Sequence, residues 1–162
     1  SIAAMILKNQ IDLGLVEEPT TDPNINRETL FTDHLFLVCS TRHNWARKRK
    51  IAPSELQKTD LIIREEGSGT REVIETTLAN HQLEYNLQHR LNNIEAIKKA
   101  VIANMGVSIL PKISIEQELA ANQLTTVNIE GINFNREFNF IYHQDKYKSE
   151  FFKEFISYVK EY

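Results

Sequence analysis

The chain has 162 residues, with 19 Lys and Arg against 22 Asp and Glu for a formal net charge of −3, and 41% of its residues are hydrophobic. This composition excludes a disordered tract, and the charge excludes a broad basic face of the kind that grips nucleic acid, although Arg42, Arg47, Lys48, Arg49 and Lys50 crowd around His43 and Trp45 in what reads as a solvated loop. A lone Cys39 excludes an internal disulfide, the five histidines show no metal-ligand spacing, and no apolar run approaches the roughly 18 residues of a membrane span, so a cytoplasmic protein with no metal, no cofactor and no membrane partner is expected.

In chain order, residues 1–9 read as the end of a helix with Ile2, Met5 and Ile6 on one side, followed by a strand over residues 11–16. A polar loop after Glu17-Glu18-Pro19 leads to residues 30–39, an apolar run long enough for a strand buried on both faces, within which Cys39 is a small buried hydrophobe. Pro53 and Ser54 open a short helix, and Leu61-Ile62-Ile63-Arg64 is the next strand. The helix after it carries Val73, Ile74 and Leu78 at helical spacing and fades near residues 80–83.

A second helix is marked by Asn92 with Glu95 three residues on, a capping-box spacing, then by Ile94, Ile97, Val101 and Met105 at a 3.6 period, with Gly106 closing it. Val107-Ser108-Ile109-Leu110 is a strand ended by Pro111, and residues 114–119 form a short helix. Residues 124–129 and 134–142 read as strands, the latter with Phe134, Phe138, Phe140 and Tyr142 on one face and Arg136 among them. Phe151, Phe152, Phe155, Ile156 and Val159 form the apolar stripe of a terminal helix. Helices and strands alternate, which predicts an α/β fold with mostly parallel strands and ligand sites at strand C-termini.

The junction Glu65-Glu66-Gly67-Ser68-Gly69-Thr70-Arg71 carries the clearest chemistry, because a strand runs through a Gly-Ser-Gly-Thr turn directly into a helix. The first turn of a helix holds amide N–H groups with no intrahelical acceptor and the positive end of the peptide dipoles, which together attract an anion. Gly67 and Gly69 permit positive φ and close approach of a ligand, while Ser68, Gly69 and Thr70 supply backbone and hydroxyl donors. Ser68 or Thr70 read equally well as a plain N-cap. A dinucleotide fingerprint fails at Glu72, a P-loop fails at Gly69-Thr70-Arg71, and the Gly-x-Ser-x-Gly spacing of a nucleophile elbow is missing. No catalytic residue is expected: Glu65 and Glu66, the nearest acid or base candidates, are more simply solvated carboxylates near a helix N-terminus.

Taken together, the motifs resemble the effector-binding domain of LysR-type transcriptional regulators over essentially the whole chain. Ile11-Asp12-Leu13-Gly14-Leu15 is similar to that family's Leu-Asp-Leu-Gly-Ile strand, and the apolar run to Ser40 with His43-Asn44-Trp45-Ala46 to its Leu-Val-Leu-Val and His-Pro-Leu-Ala segment. Gly106-Val107-Ser108-Ile109-Leu110-Pro111 matches its Gly-Ile-Ala-Leu-Leu-Pro strand, and Arg136-Glu137-Phe138 its returning strand. The resemblance implies a type 2 periplasmic-binding-protein fold, with two Rossmann-like lobes joined by two crossover strands and the N-terminal part of lobe I missing. Lobe I would be residues 1–35 and 128–162, lobe II residues 36–127, and the winged helix-turn-helix domain that binds DNA would lie outside this chain. It further implies a homodimer, a tetramer in the full-length form, and a small anionic or zwitterionic effector between the lobes.

Carried onto this sequence, Ser68, Gly69 and Thr70 would face that effector from lobe II, and Val16 and Glu17 from lobe I. Asn92 and Asn93 are either ligand contacts or a helix cap. Arg136 is either a counter-ion for an anionic effector or the partner of a structural carboxylate. Glu17 implies a cationic group on the ligand or a side chain turned away. The alternative function on the same architecture is the extracytoplasmic solute-binding protein of a transporter.

Overall fold

The computed structural model describes residues 1–17 and 22–161, so residues 18–21 of the loop expected after Glu17 lie outside the described residues. The elements in order are α1 (Ile2–Leu7), β1 (Gly14–Val16), β2 (Ile25–Ser40), a 3₁₀ turn (Asn44–Arg47), β3 (Lys50–Ile51), α2 (Pro53–Leu56), β4 (Asp60–Arg64), α3 (Gly69–Asn80), β5 (Asn86–Leu91), α4 (Ile94–Ile102), β6 (Ser108–Pro111), α5 (Lys112–Ala120), β7 (Leu124–Ile129), β8 (Phe134–His143) and α6 (Glu150–Glu161). The chain divides into two compact units, Ser1–Asp33 with Arg136–Tyr162 and His34–Asn135. The chain passes between them within β2 and within β8.

In the first unit β1 pairs antiparallel with β8, whose other neighbour is β2, and β1 is the edge strand. Phe152 and Ile156 of α6 bury against Phe140 and Tyr142, but Phe151 and Phe155 are 78% and 44% exposed. The helical stripe expected from the sequence is thus only half inside. In the second unit β2 pairs antiparallel with both β6 and β7, β3 runs parallel to β7, and β4 parallel to β5.

The expectation of mostly parallel strands is therefore corrected for the described pairings. Leu37 and Val38 are paired to β6 and to β7 at once, so those two strands lie on opposite sides of β2 and point the same way, with α5 linking them. Helix and strand alternation guarantees the crossover but does not say that a third strand will lie between its ends.

Strand β2 begins at Ile25, earlier than expected, and its residues up to His34 are mostly exposed or half-buried; only from Leu35 on is it largely buried. Cys39 is fully buried, and burial pushes its thiol up to about 11, which makes it unreactive. Two strands escape a reading of apolar pattern. Strand β3 is two residues long, and β5 reads Asn-Leu-Gln-His-Arg-Leu, with no residue fully buried. β5 exists because β4, whose three central residues are buried, offers it a parallel ladder.

Helix α4 is capped by Asn93, whose side chain accepts from the Ala96 amide at 2.7 Å, and not by Asn92. Starting one residue later puts Ala96 where a capping box requires Glu, and Glu95 pairs instead with Lys98. Gly106 does not close this helix either. The left-handed residue after its end is Asn104, with φ 62°, and Gly106 sits where its missing Cβ lets the chain pass against Asp60.

The basic loop is anchored from within. Trp45 is 3% exposed and points into the core, while Lys48 pairs with Glu55 and Lys50 with Glu130. The Trp45 amide donates to His43 Nδ1 at 3.2 Å, and burial lowers the His43 pKa from its usual 6.5. A lowered imidazole pKa means that below 6.5 the unfolded chain takes up a proton before the folded one, so this contribution to stability is complete above 6.5 and fades as pH falls. The expected result is a Trp45 fluorescence unfolding midpoint that declines below that pH. His43→Gln should flatten the decline and lower stability by about 1 kcal/mol through the lost cap.

Candidate functional site

Strand β4 delivers the chain to the turn, and Gly67 makes it possible: its φ is 82°, a value other residues adopt only under strain. Gly69 does not share this role, since among the described glycines only Gly67 and Gly131 have positive φ. It is the first residue of α3, where an ordinary helical conformation suffices.

Ser68 stands at the N-cap position with extended backbone, but its side chain makes no capping hydrogen bond. The Glu72 amide is the first to find an intrahelical acceptor, the Ser68 carbonyl at 3.1 Å. The amides of Gly69, Thr70 and Arg71 therefore have no carbonyl one turn back and no cap. Of the two sequence readings of this turn, the hydroxyl cap by Ser68 is not the one realised. Three N–H groups without a cap stand at the positive end of a 12-residue helix, next to the Ser68 hydroxyl, and such a helix start attracts an oxyanion. Thr70 is 6% exposed, while Ser68 and Gly69 are half-buried.

Among the described residues, most charged groups around this turn are paired, Glu72 excepted. Arg64 donates through Nε and Nη2 to both oxygens of Glu65 at 2.8 and 2.7 Å, and this hydrogen-bonded pair holds the Glu65 carboxyl down to about 2. Such a carboxylate stays ionised at neutral pH and is too weak a base for proton abstraction. Arg71, only 8% exposed, donates Nε to Glu75 at 2.8 Å, and the same carboxylate oxygen accepts from the Tyr85 hydroxyl at 2.9 Å. A cavity of about 240 Å³ is lined here by Glu66, Gly67, Ser68 and Arg71 with side chains of α3. Sequence reading named Arg71 only as the end of a motif, although its spacing to Glu75 is a legible i,i+4 ion pair.

The remaining candidates fall in two places. Asn92 and Asn93 stand before α4 in the second unit, where Asn93 spends its carbonyl oxygen on the cap and donates to the Asn92 side chain at 3.2 Å. Val16, Glu17 and Arg136 belong to the first unit. There Arg136 donates to Asp33 through Nε at 2.9 Å and to Glu17 through Nη1 at 3.3 Å, and lies over the Phe138 ring at 5.0 Å. Its charge is met by structural carboxylates, and Glu17 is turned toward it. Among the described residues no group of three or more His, Cys, Asp or Glu is placed to hold a metal ion, and no helix is long and apolar enough to cross a membrane.

The chain spans about half the length of the curated relatives it matches. One of them, the HTH-type transcriptional activator CmpR of Synechocystis sp., is 29% identical over 158 residues, which is 98% of this chain and 52% of that protein. Among solved structures, the Synechocystis PCC6803 CcmR regulatory domain in complex with 2-PG superposes with a TM-score of 0.77 at 27% identity, covering 99% of this chain and 77% of that one. The effector-binding domain of QuiR in complex with shikimate has a TM-score of 0.71 at 22% identity, covers 99% of this chain and 76% of its own, and speaks for the fold alone. These are regulators with the type 2 periplasmic-binding-like fold, and they lend no support to the transporter protein considered from the sequence. The family model described as the LysR substrate binding domain matches residues 1–162, and the chain belongs to that family.

Proposed function

We propose that this chain is the effector-sensing module of a bacterial LysR-type transcriptional regulator, and that a small anionic or zwitterionic metabolite binds at the turn formed by Ser68, Gly69 and Thr70. Binding would favour one arrangement of a cytoplasmic homodimer or larger DNA-bound oligomer, by no more than the ligand's differential affinity for the arrangements. DNA is contacted by a domain outside this chain. The observation that carries the reading is the N-terminus of α3, whose first amides are left without a side-chain cap. A regulatory domain 27% identical to this chain, solved in complex with 2-PG, supports a small-molecule effector. A sensor suits the turn better than an enzyme does, because the carboxylate that opens it, Glu65, is fixed in an ion pair with Arg64. Of the other residues singled out in the sequence, Val16 and Asn92 stay as candidate contacts, Asn92 with its side-chain oxygen already accepting from Asn93, whereas Asn93, Glu17 and Arg136 hold protein partners.

The test is titration calorimetry against a metabolite panel that includes 2-PG and shikimate, on the native chain and on a Ser68→Ala, Thr70→Ala variant. Hydrogen bonds to a charged group contribute about 1.5–3 kcal/mol, so the variant should bind its effector at least tenfold more weakly while its circular-dichroism melt stays native-like. Undiminished affinity would remove residues 68–70 from the site.

A further inference from the structure

Glu66 stands at the turn in a way that neither the fold nor the pairing of its neighbours requires. Its carboxylate is 3.8 Å from Arg71 Nη2 and 3.5 Å from Arg90 Nη1, and its side chain is 78% exposed. Both distances exceed a good hydrogen bond, and an ion pair so exposed is weakly held. Arg71, by contrast, has a side chain only 9% exposed, and its Nη1 is buried with no hydrogen-bond partner among the described residues. Arg71 and Glu66 line the same cavity as Gly67 and Ser68.

We propose that the Glu66 carboxylate is a placeholder for the effector's headgroup, an oxyanion that displaces it from between Arg71 and Arg90 while reaching the open amides of α3. The inference rests on the proposed function of this turn and adds its regulation: the protein carries its own competitor for the anion. The charges around the cavity fit. Glu75 is committed to Arg71 and Tyr85, so moving Glu66 away frees Arg90 and leaves the positive end of α3 facing the newcomer. Glu72, also on the cavity wall, is the remaining carboxylate, which limits the site to a single headgroup and disfavours a polyanion.

Amide chemical shifts of the isotope-labelled chain, titrated at low salt with inorganic phosphate and separately with acetate, provide the test. In the native chain the amides of residues 67–71 are expected to move. Glu66→Gln, which keeps the shape and removes the charge, should tighten the apparent Kd about two- to fivefold, the range set by an exposed ion pair. Arg90→Gln should abolish that gain, and the probe with the larger gain identifies the headgroup as phosphate or carboxylate. Equal affinity in the native and Glu66→Gln chains, with the amide shifts intact, would overturn the placeholder and leave the anion cup standing. Absence of amide shifts with both probes in every variant would overturn the cup itself.

Discussion

Gly106→Ala is expected to destabilise the chain by roughly 2–3 kcal/mol, at the upper end of what overpacking does. A Cβ at this position would lie 2.5 Å from the Asp60 carbonyl oxygen and 3.2 Å from Ile62 Cγ1. Neither neighbour can yield cheaply. The Asp60 oxygen accepts from the Val107 amide at 2.9 Å, the Val107 oxygen accepts from the Ile62 amide at 2.8 Å, and Ile62 is fully buried. The methyl would have to part β4 from the segment leading into β6, the contact that also positions the strand feeding the turn at residues 65–68. Urea unfolding should show a lower midpoint with an unchanged slope. Gly131→Ala is the control: it has positive φ, 71°, but open space around it, so only about 1 kcal/mol of backbone strain is expected. Equal midpoints for the two variants would show that close approach at Gly106 is not what the glycine serves.

Lys98→Ala is expected to lower stability by about 3 kcal/mol, because removing one partner of a buried pair strands the other charge. The Lys98 side chain is 8% exposed, and its Nζ lies 2.7 Å from Glu95 and 2.9 Å from Glu118, itself 14% exposed. Burial disfavours the ammonium, but the hydrogen bonds it donates to Glu95 and Glu118 outweigh this and raise the Lys98 pKa, while the hydrogen bond accepted from Lys98 holds Glu118 below the usual 4.5. A depressed carboxylate pKa contributes stability that is complete above 4.5 and lost as pH falls through the folded-state value. Acid unfolding of the native chain should therefore include this loss, and Lys98→Ala should reduce it. Lys98→Met combined with Glu118→Leu restores an apolar contact between α4 and α5 and should recover stability to within about 1 kcal/mol of native. A double variant no better than Lys98→Ala would mean that the ion pair itself, and not the stranded charge, supplies the difference.

The turn before α3 was legible because it is local: strand, turn and helix start are consecutive, and Gly67 and Ser68 report on the backbone at their own positions. Its electrostatics were not. Arg90, 3.5 Å from the Glu66 carboxylate, sits on β5, a strand with no apolar alternation to reveal it, and β5 takes its place only because β4 templates it. The roles of Asn92 and Gly106 were misread for related reasons. A capping pattern has the same spacing one residue earlier, and a glycine after a helix looks like its end until the neighbouring strand shows what it is making room for.

Sequence alone determined the class of fold, the order of most elements and the turn at residues 67–70, since each depends on hydrophobic period or on a residue's own φ preference, and both are written along the chain; the family came from the resemblance of its motifs. Only the tertiary structure decided the antiparallel pairings around β2, the capture of Arg136 by Asp33 and Glu17, and the company of Arg71. These join residues far apart in sequence, as Asp33 and Arg136 are, and which side chains meet across such a gap is set by packing and charge balance in the folded molecule, quantities that no local pattern encodes.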